Sequence, residues 1–354
     1  MNTIKIDKKK IGLKHKPFII AEMSGNHNQS LERALKIVDA VAKTGADAIK
    51  LQTYTPDTIT LDVDKNEFFI NDKNSLWEGE KLYDLYKTAH TPWDWHKPIM
   101  DRAADLGLIC FSSPFDESAV DFLEELNVPA YKVASFENSH IPLIKKIIST
   151  GKPIIISTGM ATLSELGETV NIIKDHDCKD LILLKCTSNY PADSQNSNIA
   201  TIPHMREMFN CEVGLSDHTL GNVSSVMSIA YGVKVIEKHY TLKRSDGGPD
   251  AEFSMEPEEL FELSKDIQDA FMATGDASFE RKSVEESNIK FRRSLYIVED
   301  MKKGEVFTDK NLKRIRPGFG IAPKFFKDLL GKSVNQSVER GTPVSWSIVD
   351  KNKT

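Results

Sequence analysis

No stretch of this chain is apolar for the roughly 20 consecutive residues that a membrane-spanning helix needs. The N-terminal run Met1-Asn2-Thr3-Ile4-Lys5 lacks the apolar centre of a secretory signal. Cysteine is scarce: Cys110, Cys178, Cys186 and Cys211 form no CxxC pair, so neither a disulfide framework nor a zinc knuckle is expected. Cys110 and Cys186 fall in apolar runs and read as buried thiols. A basic excess is missing too. The net charge of −6 speaks against bulk nucleic-acid binding, whose usual footprint is a basic surface. Repeats and low-complexity tracts are absent. The expectation is a cytoplasmic globular protein with no nucleic-acid or membrane partner, in which any anionic substrate meets a local basic site.

What is present is a series of eight short apolar runs, nearly all ending in chemically capable side chains. Phe18-Ile19-Ile20-Ala21 leads to Glu22, and Ala48-Ile49 to Lys50 and Gln52. Leu108-Ile109-Cys110-Phe111 leads to Ser112-Ser113, Ala130-Tyr131 to Lys132, and Ile154-Ile155-Ile156 to Ser157-Thr158. Leu181-Ile182-Leu183-Leu184 leads to Thr187-Ser188, Val213-Gly214-Leu215 to Ser216 and His218, and Val235-Ile236 to Glu237 and His239. Strands of a buried parallel sheet read as such runs. Eight of them with helix-length spacers predict a (β/α)8 TIM barrel, whose active face lies at the carboxyl ends of the strands.

Amphipathic segments separate the runs. Leu31, Ala34, Leu35, Val38 and Ala42 recur at helical spacing after Ser30, a candidate N-cap. Thr162 and Glu165 form a capping-box pattern. The segment from Tyr54 to His90 is long for a loop and holds Phe68, Phe69, Trp77 and Tyr83, which suggests an ordered lid or partner-contact segment. The expected division is a barrel over 1–275, a charged linker over 276–291 and a small β-rich domain over 292–354, marked by short strands and Gly/Pro turns.

Side chains two apart on a strand share a face. Glu22/Ser24, Lys50/Gln52, Ser216/His218 and Glu237/His239 can therefore each aim into one mouth. His218 and His239, on neighbouring strands, suit a divalent first-row metal that also binds water and substrate; the alternative is two hydrogen-bonded structural histidines. Lys50 and Lys132 can hold the phosphate and carboxylate of a small dianion, with hydroxyls from Ser157, Ser188 and Ser216. A different chemistry remains open: a desolvated lysine among Lys132, Lys185 and Lys238 can form a Schiff base. Asp250, after Gly247-Gly248-Pro249, can accept hydrogen bonds from a sugar or simply close a turn. His27 reads as ordering the first loop and His96 as part of a helix start, while His15, His90, His140, His176 and His204 read as structural or surface residues.

The segments Ala21-Glu22-Met23-Ser24-Gly25-Asn26-His27-Asn28, Lys50-Leu51-Gln52-Thr53, Gly214-Leu215-Ser216-Asp217-His218-Thr219 and Glu237-Lys238-His239-Tyr240-Thr241 closely resemble the sialic acid synthase family. Arg316-Pro317-Gly318-Phe319-Gly320-Ile321-Ala322-Pro323 resembles its C-terminal antifreeze-like (SAF) domain. The resemblance covers nearly the whole chain in the family's order. It implies condensation of phosphoenolpyruvate with an open-chain amino-sugar aldehyde, giving a nine-carbon 2-keto acid and phosphate. It also implies a divalent metal (Mn2+, Mg2+ or Co2+) on His218 and His239. Phosphoenolpyruvate contacts are implied for Lys50, Lys132, Ser157, Ser188 and Ser216, with Glu22 near the reacting carbons. Gln52, Ser135, Glu137, Tyr190 and Asp250 are implied on the substrate side. Arg316 is implied to enter from the small domain of the other subunit in a domain-swapped homodimer. Gln29-Ser30 after Asn26-His27-Asn28, and Ala251 after Asp250, resemble the pseudaminic branch rather than the N-acetylneuraminate enzymes. Legionaminate or N-acetylneuraminate synthesis is the alternative within the family; a Schiff-base aldolase or a non-catalytic sugar-binding protein is the alternative outside it.

Overall fold

A computed structural model of the chain describes residues 3–73 and 75–350. Met1 and Asn2 of the N-terminal run and the last four residues of the 292–354 domain lie outside the described residues. The chain separates into two compact units, Met1–Gly275 and Asp276–Thr354.

In the first unit, a hairpin of β1 (Ile4–Ile6) and β2 (Lys9–Ile11) precedes eight parallel strands. These are β3 (Phe18–Glu22), β4 (Ala48–Thr53), β5 (Ile109–Pro114), β6 (Tyr131–Val133), β7 (Ile154–Ser157), β8 (Leu181–Cys186), β9 (Glu212–Ser216) and β10 (Val235–His239). They pair in sequence order, and β10 pairs with β3 to close the barrel. Each of the eight apolar runs contributes one strand, so the predicted architecture is the observed one.

Two apolar layers hold it together. Alternate side chains of the strands point outward to the helices: Ile19, Ile49, Val133, Ile156, Leu183 and Ile236 pack against Ile37, Val38, Leu123, Ile147 and Leu263. The other parity points inward. Ile20, Ala48, Phe111, Ile155, Leu184 and Val235 fill the interior, and Ile4, Ile6 and Ile11 of the hairpin join that cluster. Full burial of each Val, Leu, Ile or Phe among them stabilises the fold by ~1.5–3 kcal/mol. Gly214 leaves room inside, because a Cβ there would overlap the Leu184 side chain and the Val235 carbonyl.

Local signals act as read. Ser30 Oγ accepts from Arg33 N at the start of helix Leu31–Val41. Thr162 and Glu165 cap helix Leu163–Asp175 reciprocally. His96 is buried in helix Trp93–Asp105, edge-on to Phe122. The 54–90 segment is less loop-like than its length suggests. It contains helix Pro56–Ile59, a 3-10 turn Asn66–Phe68 and helix Leu82–Ala89. Pro56 at the first helical position and the Thr55–Thr58 capping box start the first of these.

In the second unit β11 (Ser294–Ile297) pairs antiparallel with β12 (Leu312–Ile315). Most of its remaining pairing is by single bridges, such as Met301 with Val338 and Val334 with Val349. Leu295, Phe307, Leu312, Leu329 and Val344 form its small core.

Candidate active site

The inward parity that fills the barrel with aliphatics switches to polar residues at the carboxyl ends of the strands. Glu22, Lys50, Ser113, Lys132, Ser157, Cys186, Ser216 and Glu237 all continue the inward-facing series, and all are buried. Lys50 Nζ lies 2.7 Å from Glu22 Oε2 and 3.4 Å from Glu237 Oε2, and donates to Ser113 Oγ at 3.2 Å. Lys132 Nζ lies 3.5 Å from Glu237 Oε1 and donates to Ser157 Oγ at 2.7 Å. Ser216 Oγ donates to Glu237 Oε1 at 2.9 Å.

Two carboxyl groups thus share two ammonium groups, and their environments separate them. Burial pushes the Glu22 carboxyl up to about 7, against the pull of Lys50, and the charge of Glu237 adds to the rise. Burial would raise Glu237 as well, but Lys132 and Lys50 together outweigh it and hold that carboxyl at about 2. Burial pulls Lys132 down, while the two carboxylates beside Lys50 more than offset its burial. As Glu22 takes up a proton, the cluster holds two cations against one carboxylate. That is a local anion site inside an acidic chain. Glu22 Oε2 and Glu237 Oε2 are both buried against Lys50 Nζ, so one ammonium bridges the two carboxyl groups.

His218 and His239 stand beside this cluster with ring centroids 5.2 Å apart. His218 Nδ1 lies 3.0 Å from Thr187 O, which leaves its other ring nitrogen free of that contact. Among the described residues His239 Nδ1 has no hydrogen-bond partner; it is buried 3.7 Å from Asp250 Oδ2. Burial, then the neighbouring His218, keeps the His239 ring in its neutral form. A neutral imidazole with an orphaned ring nitrogen, next to a second imidazole held by a backbone carbonyl, fits a metal ligand set. Among the described residues no third His, Cys, Asp or Glu completes a protein cage, so the remaining positions would fall to water or substrate.

The rim beyond the histidines is polar on one side and aromatic on the other. Ser24, at φ 49°, donates through Oγ to Asp250 Oδ2, and burial raises the Asp250 carboxyl. Gln52 Nε2 donates to Glu22 Oε1 at 3.0 Å and Ser24 Oγ at 3.2 Å. Tyr190 lies 4.4 Å from His218 and 5.2 Å from Phe253, centroid to centroid. Ser135 Oγ contacts Cys186 Sγ at 3.4 Å, with Ser188 Oγ 3.9 Å from the same sulfur. A Cβ on Gly159 would overlap Ser188 Oγ and come within 2.6 Å of Ser135 Oγ, so glycine lets both hydroxyls keep these positions. Glu137, in the 3-10 turn Ser135–Glu137, is pushed up to about 7 by burial, opposed by Lys132.

The structure brings together Glu22, Lys50, Gln52, Lys132, Ser157, Ser216, His218, His239 and Asp250, and sets Ser135, Ser188, Glu137 and Tyr190 around them. It does not bring in two of the three Schiff-base candidates. Lys185 and Lys238 have the outward parity. Lys185 Nζ donates to Cys186 O at 3.1 Å. Lys238 Nζ donates to Thr219 O at 2.5 Å and Asp217 Oδ2 at 3.2 Å, tying the β9 and β10 ends together. Asp250 is a buried acceptor rather than a solvated turn aspartate. Cys110 is only partly buried, and Cys186 is no inert core thiol: its sulfur lies 4.0 Å from His218 Nδ1. Arg316 is exposed in the second unit, just after β12. His27 accepts from Gln29 N and bonds Thr91 Oγ1, ordering the first loop. The residue underrated by sequence is Glu237, whose two lysine partners come from other strands; its spacing from His239 was the available signal.

Against known proteins, residues 37–279 match the NeuB family and residues 292–349 match the SAF domain. A pseudaminic acid synthase of Campylobacter jejuni is 45% identical over 332 residues, covering 94% of this chain and 96% of that protein. One of Helicobacter pylori is 38% identical, covering 95% of this chain and 98% of that protein. The crystal structure of an N-acetylneuraminic acid synthetase from Leptospira borgpetersenii, in complex with citrate, superposes with a TM-score of 0.73 at 30% identity. It covers 82% of this chain and 96% of that one.

Proposed function

The chain belongs to the NeuB family, with a SAF domain C-terminal to its barrel, and from that premise we propose that it acts as a pseudaminic acid synthase. It condenses phosphoenolpyruvate with 2,4-diacetamido-2,4,6-trideoxy-L-altrose to a nonulosonic acid and phosphate. The observation that carries the chemistry is the buried Glu22–Lys50–Glu237–Lys132 cluster opening beside the His218–His239 pair. The pseudaminic branch is supported by the 38–45% identity to pseudaminic acid synthases over nearly the full chain.

In this reading Lys50 and Lys132 bind the phosphate and carboxylate of phosphoenolpyruvate by charge-assisted hydrogen bonds. Ser157, already on Lys132, and Ser216, already on Glu237, fix the directions of those charges. Carbon three attacks the aldehyde carbon, and carbon two becomes cationic. Water adds there, and the tetrahedral carbon expels phosphate with cleavage of its C–O bond. Glu22 faces this event with a carboxyl near 7, so around neutral pH its ionised form can steady the cation or take the water's proton. Glu237 stays ionised and keeps both ammonium groups in position. Gln52 holds Glu22 Oε1 and fixes which oxygen faces the substrate. His218 and His239 would hold a divalent ion (Mn2+, Mg2+ or Co2+), and such an ion supplies a Lewis acid for the sugar carbonyl.

The test is phosphate release from phosphoenolpyruvate with a panel of 6-deoxy diacetamido hexoses and N-acetylmannosamine. The trideoxy altrose is expected to give the highest kcat/KM. A higher value with N-acetylmannosamine, or with the legionaminate precursor, would move the chain to that branch.

Arg316 belongs to the same proposal on resemblance alone: it serves the barrel of a second copy in a domain-swapped homodimer. Mixing Arg316→Ala and Lys50→Ala proteins under subunit exchange should restore activity toward half per heterodimer, because one site then carries both defects and the other neither. Demonstrated exchange without recovery would contradict it.

A further inference from the structure

The mouth has an aromatic edge that none of the steps above uses. Trp77 comes from the 54–90 segment and is half-buried. Its indole Nε1 donates to Pro249 O at 2.9 Å. Its ring lies 6.0 Å from Tyr190, which itself lies 4.4 Å from His218. The Tyr190 ring thus links Trp77 to the histidine pair. The same segment is fastened at its far end. Gln29 Nε2 donates to Thr88 O at 2.9 Å and His90 O at 2.8 Å. A Cβ on Gly25 would come within 2.9 Å of Pro249 Cγ and 3.1 Å of Ala89 Cα, so the first loop, the loop after β10 and this segment pack without slack. The Trp77 ring itself is held by its bond to the Pro249 carbonyl.

We propose that Trp77 is a specificity-determining residue for the sugar, its ring receiving a methyl group at the distal end of the open-chain substrate. The inference rests on the functional reading above. The aldehyde carbon has to reach the lysine cluster and the histidine pair, so the remaining carbons run outward past Tyr190 to Trp77. The indole N–H is already engaged by Pro249, which leaves an apolar face. Such a face favours a methyl over a hydroxyl, whose burial without a partner is costly. Two groups of the proposed sugar carry a methyl there, carbon six and the 4-acetamido substituent.

The test measures Trp77→Ala and Trp77→Phe with three sugars: the 2,4-diacetamido-2,4,6-trideoxy hexose, its 6-hydroxy counterpart and its 4-hydroxy counterpart. Trp77→Ala should raise the sugar KM on the order of tenfold, the scale of one methyl in an apolar site. The KM for phosphoenolpyruvate and the Tm should not move. The preference over one counterpart should shrink, and that counterpart identifies the methyl. Trp77→Phe, which keeps a ring, should retain most of the preference. The comparison is read on whichever sugar the wild type uses best. Wild-type rejection of every 6-deoxy sugar then counts against the functional reading, and an unchanged sugar KM in Trp77→Ala counts against Trp77. A parallel rise of both KM values with a lower Tm would also overturn the proposal, leaving Trp77 a purely structural residue.

Discussion

Replacing Glu22 by Gln is expected to lower kcat by about 10²- to 10⁴-fold, the usual worth of a positioned acid–base group. The amide keeps the shape, with its oxygen accepting from Lys50 and its NH2 donating to Gln52 once that side-chain amide flips, so the fold should survive; a thermal melt close to wild type checks this. The pH profile separates a lost proton-handling group from a lost contact. Burial raises the Glu22 carboxyl from an ordinary 4.5 to about 7, and in the proposed mechanism its ionised form is the active one. Wild-type kcat/KM should therefore fall on the acid side with a midpoint near 7, and Glu22→Gln should lack that limb. A Glu22→Gln protein with the wild-type rate and the same limb would remove Glu22 from the chemistry.

Removing the metal should have an effect as large. Excess chelator is expected to abolish turnover, and Mn2+, Mg2+ or Co2+ to restore it. His239→Ala should weaken metal binding by more than the 10- to 100-fold typical of lost outer contacts, since it removes a proposed ligand rather than its support; ~100-fold or more is the expected scale. Binding can be read directly, without turnover, by titrating the protein with Mn2+ and following the free ion by electron paramagnetic resonance. His239→Ala should leave the thermal melt of the metal-free protein near wild type, because the ring's buried Nδ1 has no hydrogen-bond partner among the described residues. Full turnover in excess chelator would contradict the metal assignment.

The barrel is legible in the sequence because each strand is apolar on both faces and ends abruptly in polar residues. The period-two rule also resolves much of the mouth. Lys50 and Gln52, Ser216 and His218, and Glu237 and His239 each share a face, and the interior cluster contains them. The same rule, applied strictly, excludes Lys238: lying between Glu237 and His239, it has to point the other way, where it meets Asp217 and the Thr219 carbonyl. Polarity without parity makes it look like a candidate nucleophile. Other features are not local. The partition of charge between Glu22 and Glu237 depends on which lysine crosses the barrel to which carboxylate, and strand spacing is silent on that. The 54–90 helices are short, four and eight residues in Pro56–Ile59 and Leu82–Ala89, so helical periodicity has little room to register. Trp77 gains its place from Pro249 and Tyr190, distant partners that only the closed fold supplies.

The account's central claim is that this mouth joins phosphoenolpyruvate to an amino-sugar aldehyde. The most direct measurement incubates the protein and a divalent metal with phosphoenolpyruvate and 2,4-diacetamido-2,4,6-trideoxy-L-altrose, and follows phosphate and the nine-carbon 2-keto acid together by colorimetry and mass spectrometry. The account predicts equimolar formation of the two, dependent on the sugar and absent from Lys50→Ala. Phosphate released at the same rate without sugar, or no nine-carbon acid from any sugar of the panel, would contradict it.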